Sequence, residues 1–227
     1  MTVHSTSIRR SAEATAVTAG RSAARFGFYR NFAKRPIDVL AVLLAAPIVL
    51  PFMAVLALFI SMDGNAPFFR QERVGKDGRR FVMWKFRTMV PDAEQMLDLH
   101  LKSDKQARLE WVSKQKLSCD PRVTRIGKLL RRTSLDELPQ ILNVLRGDMS
   151  LIGPRPMMPN QQALYPGHAY YRLRPGMTGS WQVSERHMSD FSERAMYDDA
   201  YDSDLSLAID AGILWKTISV VFRGTGV

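Results

Sequence analysis

The sequence predicts a mostly α-helical protein with a small β-hairpin element, in which a reentrant helix–break–helix membrane hairpin carries one compact globular domain. Three observations point there. From Val39 to Met62 the chain carries no charge, and Pro47 and Pro51 fall inside that stretch. A Lys76-Asp77-Gly78 turn separates two short apolar and aromatic runs. Further on, Leu138, Ile141, Leu142 and Leu145 keep the i, i+3, i+4, i+7 spacing of a helix that buries one face.

The chain divides into residues 1–33, 34–62 and 63–227. The first segment is rich in Ser, Thr, Ala and Arg without apolar periodicity, the composition of a flexible basic arm. The second is long enough to cross a hydrocarbon core, which takes about 20 apolar residues. It is too long and too far from the start for a signal peptide. Two prolines four residues apart each remove a backbone donor, and they bend a helix in nearly one direction. Arg21, Arg25, Arg30, Lys34 and Arg35 flank the stretch on one side, and Arg70, Arg73, Lys76, Arg79 and Arg80 on the other. Basic flanks favour the cytoplasmic face, and a hairpin that enters and leaves by one face satisfies both. A kinked ordinary span with one misplaced flank is the competing reading.

In the third segment, the runs around Lys76-Asp77-Gly78 read as a hairpin. Residues 91–116 have helical character, with Asp92 as a cap and Met96, Leu99, Leu109 and Trp111 as a loose stripe. That stripe suits the membrane surface or an ordinary protein surface. Arg146-Gly147-Asp148 ends the next helix. Two proline-rich loops follow, "GPRP" at 153–156 and "RPGMTGSWQV" at 174–183. The stretch "SLAIDAGILWKTISVVF" is apolar enough to be buried or membrane-contacting, but Asp210 and Lys216 break it as a second span.

Composition narrows the chemistry. The chain has 227 residues, 46% hydrophobic content, a net charge of +10 and one cysteine. The charge points to a polyanionic partner: nucleic acid, anionic lipid or phosphorylated small molecules. A single thiol, Cys119, forms no intrachain disulfide and argues against a cysteine zinc site.

Against this basic background Asp136 and Glu137 form an adjacent acidic pair in "RRTSLDELPQ". Ser134 and Glu137 fit a capping box, although Pro139 sits better if the helix starts later, with Asp136 itself as the cap. Either way the carboxylates start a helix beside Arg131 and Arg132, where charge and dipole keep them ionised. Such a pair often only stabilises its helix. Ionised, it also serves as a nucleophile toward phosphorus or a ligand for Mg²⁺. Lys85 and Arg87 in "WKFRTM", Arg131, Arg155 in "GPRP" and Arg174 in "RPG" stand in tight local contexts that suit phosphate oxygens.

At these residues the sequence resembles the bacterial sugar transferases, or monotopic phosphoglycosyl transferases. The resemblance runs from about Lys34 to Val227. It rests on "KRPID", on Pro51 at its spacing from Lys34, and on "QERVGKDGRRFVMWKFRTM". It continues through "DPRVTRIGKLLRRTSLDELPQILNVLRGDMSLIGPRP", "RPGMTGSWQV" and "RGTG". It implies a reentrant membrane helix and a cytoplasmic catalytic domain at the bacterial inner membrane. It also implies a ping-pong reaction in which Asp136 attacks the β-phosphorus of a UDP-sugar and releases UMP. Undecaprenyl phosphate then takes the phosphosugar, in the first membrane step of exopolysaccharide or related glycan synthesis. Glu137 matches the carboxylate that serves Mg²⁺, and Lys85, Arg87, Arg131 and Arg155 match basic residues around the phosphates. "WQV" looks like members that use UDP-glucose or UDP-galactose. Three positions depart from the pattern: Leu50 replaces the serine before Pro51, Glu185 replaces a glycine, and Asp202 replaces a tyrosine. The reading accounts for the charge through membrane lipid and substrate phosphates, without nucleic acid. A basic membrane adaptor and a glycosyltransferase releasing UDP are its rivals.

Overall fold

A computed structural model of the chain describes residues 27–114, 117–184 and 191–222. Most of the basic arm, Glu185 and the closing "RGTG" lie outside the described residues. Tyr29–Ala33, at the arm's expected end, form a wide helical turn. It leads into α1, Lys34–Ser61, a helix of 28 residues. Where the sequence predicts a helix–break–helix, α1 continues through Pro47 and Pro51. Each proline costs one backbone bond and crowds a carbonyl, which bends a helix without ending it when Leu and Ala surround the site. Leu40, Leu43, Leu44, Ile48, Leu50, Leu58 and Phe59 on α1 are all exposed. It is long and apolar enough to cross a membrane.

The rest of the described chain is mostly helical, with little sheet. β1 (Phe68–Val74) and β2 (Arg80–Phe86) form the expected hairpin around the Lys76–Gly78 turn. Asp77 and Gly78 adopt positive φ there, 58° and 74°. α2 (Ala93–Ser103) and α3 (Lys105–Lys114) divide the helix expected over 91–116. Asp104 makes the division. It leaves the helical region, and its carboxylate accepts the N–H groups of Gln106 and Ala107. That is an N-cap in mid-pattern. Asp92 precedes α2 but makes no side-chain cap bond. Then follow α4 (Arg125–Thr133), α5 (Ile141–Arg146), β3 (Ser150–Ile152), α6 (Ala169–Arg172) and β4 (Gly176–Thr178). α7 (Ser180–Val183), α8 (Arg194–Asp204) and α9 (Leu207–Phe222) complete the order. Gly147 ends α5 at φ 91°, as its position after Arg146 predicts.

The fold divides into two units, each assembled from separate stretches of chain. The first holds Met1–Pro47, Gln71–Met83 and Gln140–Ser219. Its core has two parts: Val74, Met157, Tyr165, Tyr170 and Ala195, and Ile152, Leu173, Tyr201, Leu205 and Ile213. β3 and β4 pair in parallel, Ser150 with Gly176 and Ile152 with Thr178. This pairing brings the two proline-rich loops together. A Cβ at Gly176 would stand 2.1 Å from the Gly153 nitrogen, so only glycine fits that approach.

The same unit fixes the start of α1 through "KRPID". Lys34 and the hydroxyls of Tyr29 and Tyr201 all donate to Asp210, at 2.5, 2.6 and 2.6 Å. Ser150 donates to Asp38 at 2.6 Å. Arg35 donates to the carbonyls of Val144 and Leu145, at the open end of α5. Asp210, an interruption in an otherwise apolar helix, is therefore the shared acceptor of this anchor. Asp202, one of the three departures, is fully buried and receives both Arg30 and Arg172.

The second unit holds Ile48–Arg70, Trp84–Pro139 and Val220–Val227. Phe68 stacks on Phe86 with centroids 5.4 Å apart, and Arg70 lies over Trp84. The chain after β2 runs along the start of α4: Thr88 carbonyl accepts Thr124 N–H at 3.0 Å, and Arg122 carbonyl accepts Val90 N–H at 2.9 Å. Thr124 caps α4 by accepting Gly127 N–H at 2.9 Å. A Cβ at Gly127 would meet Thr88 carbonyl at 2.1 Å, so α4 reaches this position only with glycine.

Candidate active site

The capping box expected at Ser134 does not form. Ser134 takes φ 56° and ends α4, with its N–H returning to Arg131 carbonyl at 3.1 Å. Leu135–Gln140 then make a tighter 3₁₀ segment that contains Pro139. The physical reason is Pro139. An α-helix begun at Leu135 would need a Pro139 N–H to bond Leu135 carbonyl, and would press the ring against it. The i, i+3 pattern avoids that bond, as Glu137 N–H to Ser134 carbonyl shows at 3.2 Å.

Asp136 and Glu137 thus lie on a tight turn. Their side chains meet one ammonium. Lys85, on β2, donates to Glu137 Oε1 at 2.7 Å and stands 3.5 Å from Asp136 Oδ2. The three side chains are 19% (Lys85), 13% (Asp136) and 23% (Glu137) exposed, so the cluster is shielded yet reachable. Arg131 comes from the last turn of α4, and its Nε donates to Thr88 Oγ1 at 3.0 Å. Thr88 is a positioning residue that the sequence reading missed. Its signal is its place three residues after Lys85, just beyond the end of β2.

The electrostatics add an effect opposite in sign to that of the cations and the dipole. Burial pushes the Asp136 carboxyl above its ordinary value; Lys85 and Arg131 pull it back, while Glu137 adds to the rise. The sequence reading weighed the cations and the helix dipole but not desolvation. Burial also lowers the Arg131 guanidinium, which Asp136 partly restores. A buried carboxylate beside two cations is poorly hydrated when ionised, which leaves its oxygens available as a nucleophile.

Arg87 has a different environment. Its guanidinium donates to the carbonyls of Ile60, Ala66 and Met89 and to Asp63 Oδ1. Three of these bonds secure the end of α1 and the loop after it, and the fourth stays on the segment after β2. Arg155 and Arg174 belong to the other unit. Arg155 lies 6.0 Å from the Trp181 ring, which Arg194 approaches at 5.1 Å. Arg174 donates from Nε to Gly147 carbonyl at 2.9 Å. Within the second unit the structure therefore gathers Lys85, Arg131, Asp136 and Glu137, and gives Arg87 partners of its own.

Among the described residues no three His, Cys, Asp or Glu side chains cluster as a metal site. The Asp136–Glu137 pair nonetheless fits Mg²⁺, which commonly takes one or two carboxylates and completes its shell with water and substrate phosphate oxygens.

A family model described as bacterial sugar transferase matches residues 29–224. The chain is 45% identical over 198 residues to the UDP-galactose-lipid carrier transferase of Erwinia amylovora, covering 86% of this chain and 42% of that one. It is 42% identical over 198 residues to the undecaprenyl-phosphate galactose phosphotransferase of Salmonella typhimurium, again with 86% and 42% coverage. The exopolysaccharide production protein ExoY of Sinorhizobium fredii is 41% identical over 199 residues, with 86% and 88% coverage. The chain thus spans about two fifths of the first two relatives and nearly all of the third.

Proposed function

The chain belongs to the bacterial sugar transferase family, and from that premise we propose that it moves a hexose-1-phosphate from a UDP-sugar to undecaprenyl phosphate. The sugar is glucose or galactose, and the step is the first membrane reaction of exopolysaccharide or related glycan synthesis. The observation that carries the reading is the shielded Asp136 carboxylate, held with Glu137 by one ammonium and flanked by Arg131.

The reaction runs in two displacements. An Asp136 oxygen attacks the β-phosphorus of the UDP-sugar, and the bond from that phosphorus to the bridging oxygen breaks. UMP leaves with the electron pair. The phosphosugar is then an acyl phosphate on Asp136. A phosphate oxygen of undecaprenyl phosphate attacks the same phosphorus and expels the Asp136 carboxylate, restoring the enzyme. Lys85 and Arg131 offset the charge on the diphosphate. Glu137 holds Mg²⁺, which when bound neutralises phosphate oxygens and polarises the reacting phosphorus. Arg87 contributes chiefly by fixing the end of α1.

The exposed apolar surface of α1 supports anchoring in a membrane, since patches of this kind need an apolar phase. We place the protein at the bacterial inner membrane, with α1 entering and leaving by the cytoplasmic face. The basic flanks on both sides of α1, with Pro47 and Pro51 inside it, support that path. Supplying purified protein with UDP-glucose, UDP-galactose and N-acetylated UDP-sugars, with Mg²⁺ and undecaprenyl phosphate, tests the function. UMP release with a UDP-hexose is expected. Release of UDP would make the protein a glycosyltransferase, and release of neither nucleotide would end the enzymatic reading.

A further inference from the structure

The first unit contains a cavity of about 90 Å³ that the proposed reaction does not use. Six cationic side chains line it: Arg30, Lys34, Arg35, Lys76, Arg172 and Arg174. Asp38 is the one carboxylate on its wall, and Asp38 already accepts Ser150. Most of the cations have fixed positions. Arg30 and Arg172 are held on Asp202, Lys34 on Asp210, and Arg35 on the Val144 and Leu145 carbonyls.

Two donors point to a ligand. Arg174 uses Nε for Gly147 carbonyl, and its two terminal nitrogens have no partner among the described residues. Lys76 likewise has no partner among them, yet its hairpin turn packs firmly against α6. Cations that share one small cavity repel each other, so the arrangement favours a bound anion. Phosphate oxygens match a guanidinium fork together with an ammonium. The volume suits such a group, since a water occupies about 30 Å³. It is far below the roughly 300–1,000 Å³ of clefts that enclose whole ligands.

We propose that this cavity is a binding site for a single phosphate group, held by Arg174 and Lys76 against the fixed charges of Arg30, Lys34 and Arg172. It lies at the polar start of α1, where an apolar helix meets the headgroup level of a bilayer. A phospholipid headgroup is therefore the source the structure favours, and free phosphate in solution is the other source of the same chemistry. The inference does not depend on the transferase reading.

Phenylglyoxal, which modifies free guanidinium groups, reads occupancy through Arg174 when the modified peptide is quantified by mass spectrometry. The full chain is labelled in phosphate-free detergent, in detergent with inorganic phosphate, in phosphatidylglycerol nanodiscs, and in nanodiscs of a neutral, phosphate-free galactolipid. Protection in phosphatidylglycerol but not in galactolipid supports the lipid source. Protection by inorganic phosphate in detergent supports a site filled from solution. Full reactivity in every arm overturns the proposal. So does equal protection by both lipids without an effect of inorganic phosphate, because the bilayer alone is then the shield. Lys76→Gln removes one charge-assisted contact and should raise the half-protecting concentration of the active probe about tenfold. An unchanged concentration in that variant also overturns it. UMP release is measured separately, so a failure here leaves the transferase reading standing, and the reverse.

Discussion

Replacing Lys85 with methionine tests the electrostatics of the acidic pair, because it removes the ammonium while keeping most of the stem. At an effective dielectric of about 20, contacts at 2.7 and 3.5 Å are each worth about 5–6 kcal/mol before desolvation. Most of that offsets the cost of shielding three charges. Removing one partner of a fully buried pair costs about 3–5 kcal/mol, and a cluster about one-fifth exposed should lose about 2–3 kcal/mol. In a chain of this size that lowers the melting temperature by about 5–10 °C. The loss depends on pH. Lys85 lowers the proton affinity of Asp136, so without it the carboxyl rises further above its ordinary value. A carboxyl whose folded-state affinity is raised contributes stability when protonated and loses it as pH rises through the folded value. Lys85→Met should therefore be costlier at pH 8 than at pH 5. The acid limb of UMP release should move to higher pH, since attack needs the ionised carboxylate, and Lys85→Arg should stay closer to the parent. Melting of nanodisc-reconstituted protein at both pH values, with a pH–rate profile, measures these effects. An equal loss of stability at pH 5 and pH 8, with an unmoved acid limb, refutes the argument.

Other perturbations probe separate parts of the account. Gly127→Ala forces a Cβ onto Thr88 carbonyl at 2.1 Å and should cost about 2–3 kcal/mol, with reduced turnover because Thr88 holds Arg131; a melting curve like the parent's contradicts this. Asp210→Leu strands Lys34 and the Tyr29 and Tyr201 hydroxyls and should destabilise by about 3–5 kcal/mol, part of which Lys34→Met in the same chain restores. Burial raises Asp198 to about 7, so its contribution to stability is present at low pH and lost as pH rises toward and through 7. Asp198→Asn should therefore stabilise the protein more at pH 8 than at pH 5 in paired melts. Replacing Pro47 and Pro51 together with leucine restores two backbone donors in α1 and should give mixed topologies, read by impermeant thiol labelling of a Ser22→Cys, Cys119→Ser variant in intact cells. Wholly cytoplasmic Ser22→Cys in an active double variant would show that the prolines do not set the path.

Local signals in the sequence carried far into the fold. The hairpin around Asp77 and Gly78, the end of α5 at Gly147 and the apolar α1 all follow from residue chemistry near the feature itself. The proximity of Asp136, Glu137, Lys85 and Arg131 was legible only as an inventory, since β2 and the turn after α4 lie far apart in sequence. Where the reading departed, a competing local effect had been weighed too lightly. Pro139 outweighed the Ser134 capping box, Asp104 cut a helical pattern in two, and burial outweighed neighbouring cations at Asp136. The carbonyls of Ile60, Ala66 and Met89 that receive Arg87 form no pattern that a sequence displays. Asp202 and Asp210 read as a departure and an interruption until their cationic partners, distant in sequence, came into view.

The covalent step is the centre of the account, and intact-protein and peptide mass spectrometry test it most directly. Protein quenched after mixing with UDP-hexose and Mg²⁺, without undecaprenyl phosphate, should carry one hexose-phosphate, located on the peptide that contains Asp136. Asp136→Asn should carry none while keeping the parent's fold. Normal UMP release on adding the lipid, with no adduct on the quenched protein or with the adduct on another residue, would contradict the assignment of Asp136 as nucleophile.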